Sequence, residues 1–124
     1  SLMFNNMDKK YGKQKFGTNP PNLSLIARSR GADWVYTYLN SFYLDDSRPL
    51  GVNNTVFKDV GMPHVLWELQ GWQKAVYKTE TNEAGSEIQV LDHLELASEG
   101  ILSPEEYEAA TRDLTAFLVY VAEP

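Results

Sequence analysis

The sequence predicts a mostly α-helical domain with one β-hairpin and a C-terminal helix. Three patterns support this fold class. Apolar residues recur at helical spacing between residues 34 and 42, two alternating stretches flank a turn at residues 82–85, and Ser103-Pro104-Glu105-Glu106 has the composition of a helix start. A chain of 124 residues is long enough for one domain with a core of its own.

The first half predicts two short helices after a polar beginning. Residues 1–18 are rich in lysine and are expected to form a flexible lead-in, or one short helical turn around Met7–Tyr11. Asn22 is a suitable cap for a helix that Gly31 ends, and Asp33 is a suitable cap for a second helix of about ten residues. The second helix has one broad apolar face made of Trp34, Val35, Tyr38, Leu39 and Phe42. Residues 51–62 predict a long irregular loop, and residues 65–70 fit a helical turn and a short strand equally well.

The second half predicts a hairpin followed by a helix. Residues 75–81 and 87–91 alternate between apolar and polar side chains, and Asn82-Glu83-Ala84-Gly85 between them favours a turn. The helix that starts after Ser103 should present one apolar face. That face consists of Tyr107, Leu114, Phe117, Leu118 and Val121.

Composition excludes several classes of function. With 17 acidic and 11 basic residues the net charge is −6, and no run of lysine or arginine is long enough to bind nucleic acid. No stretch approaches the roughly 20 apolar residues of a transmembrane helix. The sequence shows no general acid opposed to a general base and no Gly-x-Ser-x-Gly motif. Nothing in it therefore indicates an enzyme. The two histidines, His64 and His93, fit surface or supporting positions better than a metal site.

Two segments carry a resemblance to a known family. Pro20-Pro21-Asn22-Leu23-Ser24 precedes a helix with two arginines and is followed about thirty residues later by Gly61-Met62-Pro63. Leu114-Thr115-Ala116-Phe117-Leu118 precedes Ala122-Glu123-Pro124 near the end. This order resembles cytochrome c1, and residues 48–54 resemble its proteobacterial branch. The resemblance implies the distal part of a cytochrome c-like fold.

The resemblance implies a set of haem-binding residues. Met62 would be the axial thioether ligand of the haem iron, a soft ligand that raises the haem potential. Arg30 would bind a haem propionate, since a guanidinium pairs with a carboxylate through two hydrogen bonds. The remaining wall of the pocket would consist of Pro20, Pro21, Ile26, Trp34, Tyr38, Leu39, Phe57, Val60 and Pro63.

The same resemblance implies how the chain is divided. Residues 19–124 would form part of a haem domain. Within it, residues 19–70 would supply the pocket wall and ligand loop, residues 71–102 an insertion with the hairpin, and residues 103–124 the C-terminal helix. Haem c is attached through Cys-x-x-Cys-His, and the chain has no cysteine. We therefore expect haem c in the whole protein and not in this chain by itself.

The implied function is electron transfer in the cytochrome bc1 complex. The whole protein would pass one electron from a Rieske iron–sulfur protein to a soluble c-type cytochrome, beside cytochrome b, at the periplasmic face of the bacterial inner membrane. A missing C-terminal anchor would hold it there. Acidic residues of the later half would help to dock a basic cytochrome, or would serve solubility only. The chain by itself would catalyse no reaction.

The sequence also allows two hypotheses other than electron transfer. The chain could be a haem-free interaction or structural module in which the Gly-Met-Pro loop serves packing, or a small-molecule binding domain that uses the same aromatic pocket. Because an uncovered apolar pocket favours association, we also expect the chain to self-associate, to exchange elements between copies or to repack the Met62 loop.

Overall fold

The computed structural model describes residues 23–123 of the chain. Within these residues the chain forms four helices and four strands. In chain order they are α1 (Leu23–Arg30), α2 (Ala32–Leu39), β1 (Phe42–Leu44), β2 (Val52–Asn54), α3 (Trp67–Gln70), β3 (Gly71–Thr81), β4 (Glu87–Glu99) and α4 (Pro104–Ala122).

The first two helices pack on each other and on α4. Gly31 separates them and takes a φ of 89°, a conformation that glycine adopts without strain. It also occupies the cap position of α2, so the expected cap Asp33 lies in the first turn instead. The buried side chains of this region come from both helices, β1, β2, the Met62 loop and α4. They are Leu23, Ala27, Val35, Tyr38, Leu39, Phe42, Val52, Val60, Met62 and Leu118.

A short β-ribbon follows α2, where the sequence predicted the end of a helix and then an irregular loop. Helix α2 stops at Leu39 because the side chains of Asn40 and Ser41 bond back to the carbonyls of Tyr36 and Thr37, at 2.9 and 2.6 Å. The chain then extends, and Phe42 lies opposite Asn54 in an antiparallel pair of strands. The expected loop 51–62 therefore begins with a strand.

The predicted hairpin is confirmed and is longer than expected. Strands β3 and β4 are antiparallel from Gly71 opposite Glu99 to Thr81 opposite Glu87, with irregularities that add a residue to β4 at two places. At the root of the hairpin the Gln73 amide donates to the carbonyls of Asn40 and Phe42, each at 3.0 Å. The hairpin is therefore attached to the end of α2 and the start of β1.

Helix α4 begins where the sequence predicted. Ser103 and Glu106 form a capping box, in which each side chain binds the backbone N–H of the other, and Pro104 opens the first turn. The buried face differs from the prediction, because Thr111 and Thr115 lie inside with Tyr107 and Leu118. Phe117 and Val121, expected inside, are 48% and 46% exposed.

The prediction of a mostly α fold is wrong. Residues 23–123 are 39% helical and 30% in strands, with two antiparallel sheets. The missed strand content comes from the β1–β2 ribbon and from a hairpin that extends well beyond the alternating stretches of the sequence. Across residues 23–123 no helix combines the length and apolarity that crossing a membrane requires.

Candidate functional site

Met62 is the centre of the candidate site. Its side chain is fully buried, although Gly61 before it is exposed. The Tyr38 hydroxyl, also fully buried, donates a hydrogen bond to the Met62 sulfur at 3.6 Å. One lone pair of the Met62 sulfur is thus directed at Tyr38 on α2. The position of the thioether is set by a polar contact as well as by packing.

An aromatic wall surrounds this contact. The Trp34 ring stacks on Tyr38 with centroids 5.2 Å apart and an interplanar angle of 10°. Phe57 contacts both rings, with centroids 6.4 Å from Trp34 and 6.2 Å from Tyr38. The Arg30 guanidinium lies over Trp34, 4.9 Å from the ring centre, and Arg30 is exposed. The cluster therefore carries a positive charge at its solvent edge.

The other residues expected at the site occupy the same core or its border. Val60 and Leu39 are buried, and Ile26 packs against the core half-buried. Leu39 also connects the site to α4, since its carbonyl accepts the Tyr107 hydroxyl at 2.7 Å. Pro63 is half-buried beside Met62. Pro20 and Pro21 lie outside the described residues.

A second set of rings, which the sequence did not place here, extends the aromatic wall. Phe42 contacts Tyr38 at 5.3 Å and stacks on His64 at 5.1 Å. His64 meets the edge of Trp72 at 5.6 Å, and Trp72 stacks on Trp67 at 5.5 Å. These rings join the Met62 loop to the root of the hairpin. The spacing of residues 34–42 showed only that Phe42 shares the face of Tyr38.

His64 is a buried, neutral histidine. Burial lowers its pKa to about 4, and the nearby Gln70 side chain and Gly71 backbone offset only part of this effect. Its Nε2 atom and Gln70 Oε1 are both buried without a hydrogen-bond partner. His93 is exposed on the hairpin, against Asp92 and Glu95. Among residues 23–123 no three histidine, aspartate or glutamate side chains are grouped so that they could hold a metal ion.

No family model matches the chain. The chain is 55% identical over 109 residues to cytochrome c1 of Allochromatium vinosum. This match covers 88% of the chain and 44% of that protein. This identity supports a C-terminal part of a cytochrome c1. The chain is also 45% identical, over 123 residues, to a Nitrosomonas europaea protein named ammonia monooxygenase gamma subunit. That match covers 99% of the chain and 47% of the relative. The chain thus spans less than half the length of both relatives.

Similarity to cytochrome c1 implies haem c in the whole protein, whereas this chain has no cysteine and cannot bind haem covalently. The residues present are chemically suited to such a group. Met62 supplies a soft thioether in a dry environment, and the rings of Trp34, Tyr38 and Phe57 supply an apolar wall. Arg30 at the solvent edge supplies a cation suited to a carboxylate.

Proposed function

We propose that this chain is part of a one-electron carrier, the haem subunit of a quinol–cytochrome c reductase. The observation that supports the proposal most directly is the buried Met62 sulfur within an aromatic wall, in a chain 55% identical to a cytochrome c1. In this proposal the whole protein receives an electron from a Rieske iron–sulfur protein beside cytochrome b. It delivers that electron to a soluble c-type cytochrome, at the periplasmic face of a bacterial inner membrane.

Each group of the site has a distinct role in this proposal. Haem c, when bound, supplies an iron that changes its charge by one electron. Met62 would ligate the haem iron, and its neutral thioether would favour the reduced iron. The Tyr38 hydroxyl donates to one lone pair of the sulfur and would leave the other lone pair to bind a metal. Trp34, Phe57 and Val60 exclude water from the ligand. Low polarity around a redox centre disfavours the more highly charged oxidised state.

Arg30 acts at the border of the pocket. Its guanidinium is exposed and lies over Trp34, so it can meet a propionate without burying an unpaired charge. Pro20, Pro21, Ile26, Leu39 and Pro63 complete the wall in this proposal. Acidic residues of the later half of the chain would then attract a basic cytochrome, and that attraction should weaken as salt rises.

The test is the reduction potential of the whole protein with Met62→Leu. Loss of the thioether should lower the potential by about 0.1 V or more, within the roughly 0.8 V that axial ligands span. The matched control is Met7→Leu, which removes a methionine elsewhere in the chain and should leave the potential unchanged. A Met62→Leu protein with the potential of the unsubstituted protein would refute the ligand role. The Gly-Met-Pro loop would then serve packing only.

A further inference from the structure

Asn53, on strand β2, is bonded to the segment that leads into Met62. Its side-chain oxygen accepts the backbone N–H of Asp59 and that of Asn54, both at 2.8 Å. Its side-chain nitrogen donates to Asp45 at 3.0 Å and to the Asp59 carboxylate at 3.4 Å. Asn53 is only 4% exposed. The buried amide thus has partners on both its oxygen and its nitrogen, and two of its contacts are with Asp59.

Asp59 has a strained backbone that these contacts hold. Its φ of 59° is left-handed, which residues other than glycine seldom adopt. The Arg48 guanidinium also holds Asp59. It lies 3.6 Å from the Asp59 carboxylate and donates a hydrogen bond to the Asp59 carbonyl at 3.3 Å. Immediately after this residue the chain turns inward, and Val60 and Met62 are buried. The left-handed turn therefore sets the direction in which Met62 enters the core.

Asn54 holds the other end of the same loop. Its side-chain nitrogen donates to the Tyr38 carbonyl at 2.9 Å, and its side-chain oxygen accepts the Val56 N–H at 3.0 Å. Tyr38 is also the residue whose hydroxyl binds the Met62 sulfur. The start of the loop and the methionine at its end are thus bonded to one residue of α2.

We propose that Asn53 and Asn54 are positioning residues for the Met62 sulfur. Asn53 fixes the left-handed turn at Asp59, and Asn54 fixes the loop to Tyr38, so that the thioether meets the Tyr38 hydroxyl in one orientation. The biological significance of this orientation rests on the proposed function, in which Met62 is a metal ligand. The geometric part concerns only this chain and can be tested without haem.

The test measures how fast dilute hydrogen peroxide oxidises Met62 in the 124-residue chain. Peptide mass spectrometry separates Met62 from Met3 and Met7. In the native fold the buried sulfur reacts only when the loop opens. Asn53→Ala should raise the oxidation rate of Met62 about tenfold, since one lost buried hydrogen-bond network shifts a local opening equilibrium by about that factor. Asn54→Ala should have an effect of similar size.

The control for a general loss of stability is Asn40→Ala. Asn40 is half-buried, and its side chain also bonds to a carbonyl and to a side chain, those of Tyr36 and Thr111, neither of which lies in the Met62 loop. Its substitution should leave the Met62 rate within about twofold of the unsubstituted chain. The rates are compared in low urea concentrations, because a local opening depends little on urea whereas global unfolding depends strongly on it.

A second pair of variants tests the left-handed turn directly. Asp59→Ala and Asp59→Gly both remove the carboxylate and its contacts, but only glycine adopts a φ of 59° without strain. The alanine variant should oxidise several-fold faster at Met62 than the glycine variant. Equal rates in this pair, or Asn53→Ala no faster than Asn40→Ala, would overturn the proposal.

These outcomes are independent of the haem test. If Met62→Leu leaves the reduction potential unchanged while the oxidation rates follow the expected order, the ligand role fails and the positioning role stands. If the oxidation rates do not differ while Met62→Leu lowers the potential, the positioning role fails and the ligand role stands. In the whole protein, Asn53→Ala should also weaken the Met–iron absorption band while Asn40→Ala leaves it unchanged.

Discussion

The Met62 region and the β3–β4 hairpin are stabilised in different ways. Around Met62, polar side chains are buried and bond to backbone groups distant in sequence, as Asn54 does to Tyr38. On the hairpin, the charged side chains pair with one another in solvent, as Lys74 does with Glu95 at 3.3 Å. The first region depends on many elements at once, and the second mainly on its own two strands. A substitution should therefore have large effects near Met62 or at the root of the hairpin, and small ones along its exposed length.

The largest difference should appear between two glycines with nearly the same φ. Gly71 and Gly85 have φ values of 88° and 81°, but an added Cβ at Gly71 would meet the backbone of residues 98–100, whereas one at Gly85 meets nothing. Gly71→Ala should cost roughly 3–5 kcal/mol, from strain and crowding together. Gly85→Ala should cost about 1–2 kcal/mol, from strain alone. Urea unfolding measures both, and equal losses would show that the root is not crowded.

A smaller difference should separate two tyrosines. The buried Tyr107 hydroxyl donates to the Leu39 carbonyl, and burial raises the pKa of Tyr107. Tyr77 on the hairpin is 55% exposed. Tyr107→Phe should lower the free energy of unfolding by about 1–2 kcal/mol, because a buried carbonyl loses its partner. Tyr77→Phe should change it by less than about 0.5 kcal/mol. Similar losses would contradict the contrast between the two regions.

The smallest effect should be a change in titration on the hairpin, with no change in stability above the His93 pKa. The Asp92 carboxylate accepts a hydrogen bond from His93 Nδ1 at 2.6 Å, which raises the pKa of His93, and Glu95 adds to this effect. A raised pKa means that the contact stabilises the hairpin below the ordinary histidine pKa of about 6.5 and that this effect is lost as pH rises through the His93 pKa. Asp92→Asn should move the His93 pKa, followed by NMR, back towards its ordinary value.

The matched control for this titration is Glu80→Gln. Glu80 pairs with Lys78 at 3.4 Å on the same hairpin and has no contact with His93. It should leave the His93 pKa and the urea midpoint unchanged, and Asp92→Asn should also leave the urea midpoint unchanged when it is measured above the His93 pKa, where the contact no longer stabilises the hairpin. An equal shift of the His93 pKa in both variants would point to the general charge of the hairpin rather than to the Asp92 contact.

The sequence predicted the hairpin better than the Met62 region, because the two regions are stabilised in different ways. The hairpin and the start of α4 depend on neighbours in sequence, so alternation and the Ser103 capping box predicted them. The β1–β2 ribbon was missed because its strands are three residues long and pair across a turn. Such short strands have no periodicity to detect.

The candidate site could be predicted only through the family resemblance. Spacing placed Trp34 and Tyr38 on one face of a helix but did not indicate that Phe57 or Met62 would meet them. The roles of Asn53, Asn54 and His64 depend on contacts that the three-dimensional fold creates. The two consecutive asparagines were visible in the sequence as a feature of a loop, and nothing local showed which backbone groups they would bind.

The pairing of Gly71 with Glu99 has a consequence for how this chain can change over evolution and in the laboratory. The β3–β4 hairpin therefore leaves the rest of the domain and returns to it at its root. Two backbone hydrogen bonds, from the Ile101 N–H to the Glu68 carbonyl and from the Leu102 N–H to the Leu69 carbonyl, also join the two ends of the hairpin there. Cross-strand pairs can therefore be added or removed beyond the root without changing the distance between Gly71 and Glu99, where the hairpin joins the rest of the domain. The turn at residues 82–86 is accordingly a suitable point at which to graft a tag, a fluorophore or another domain.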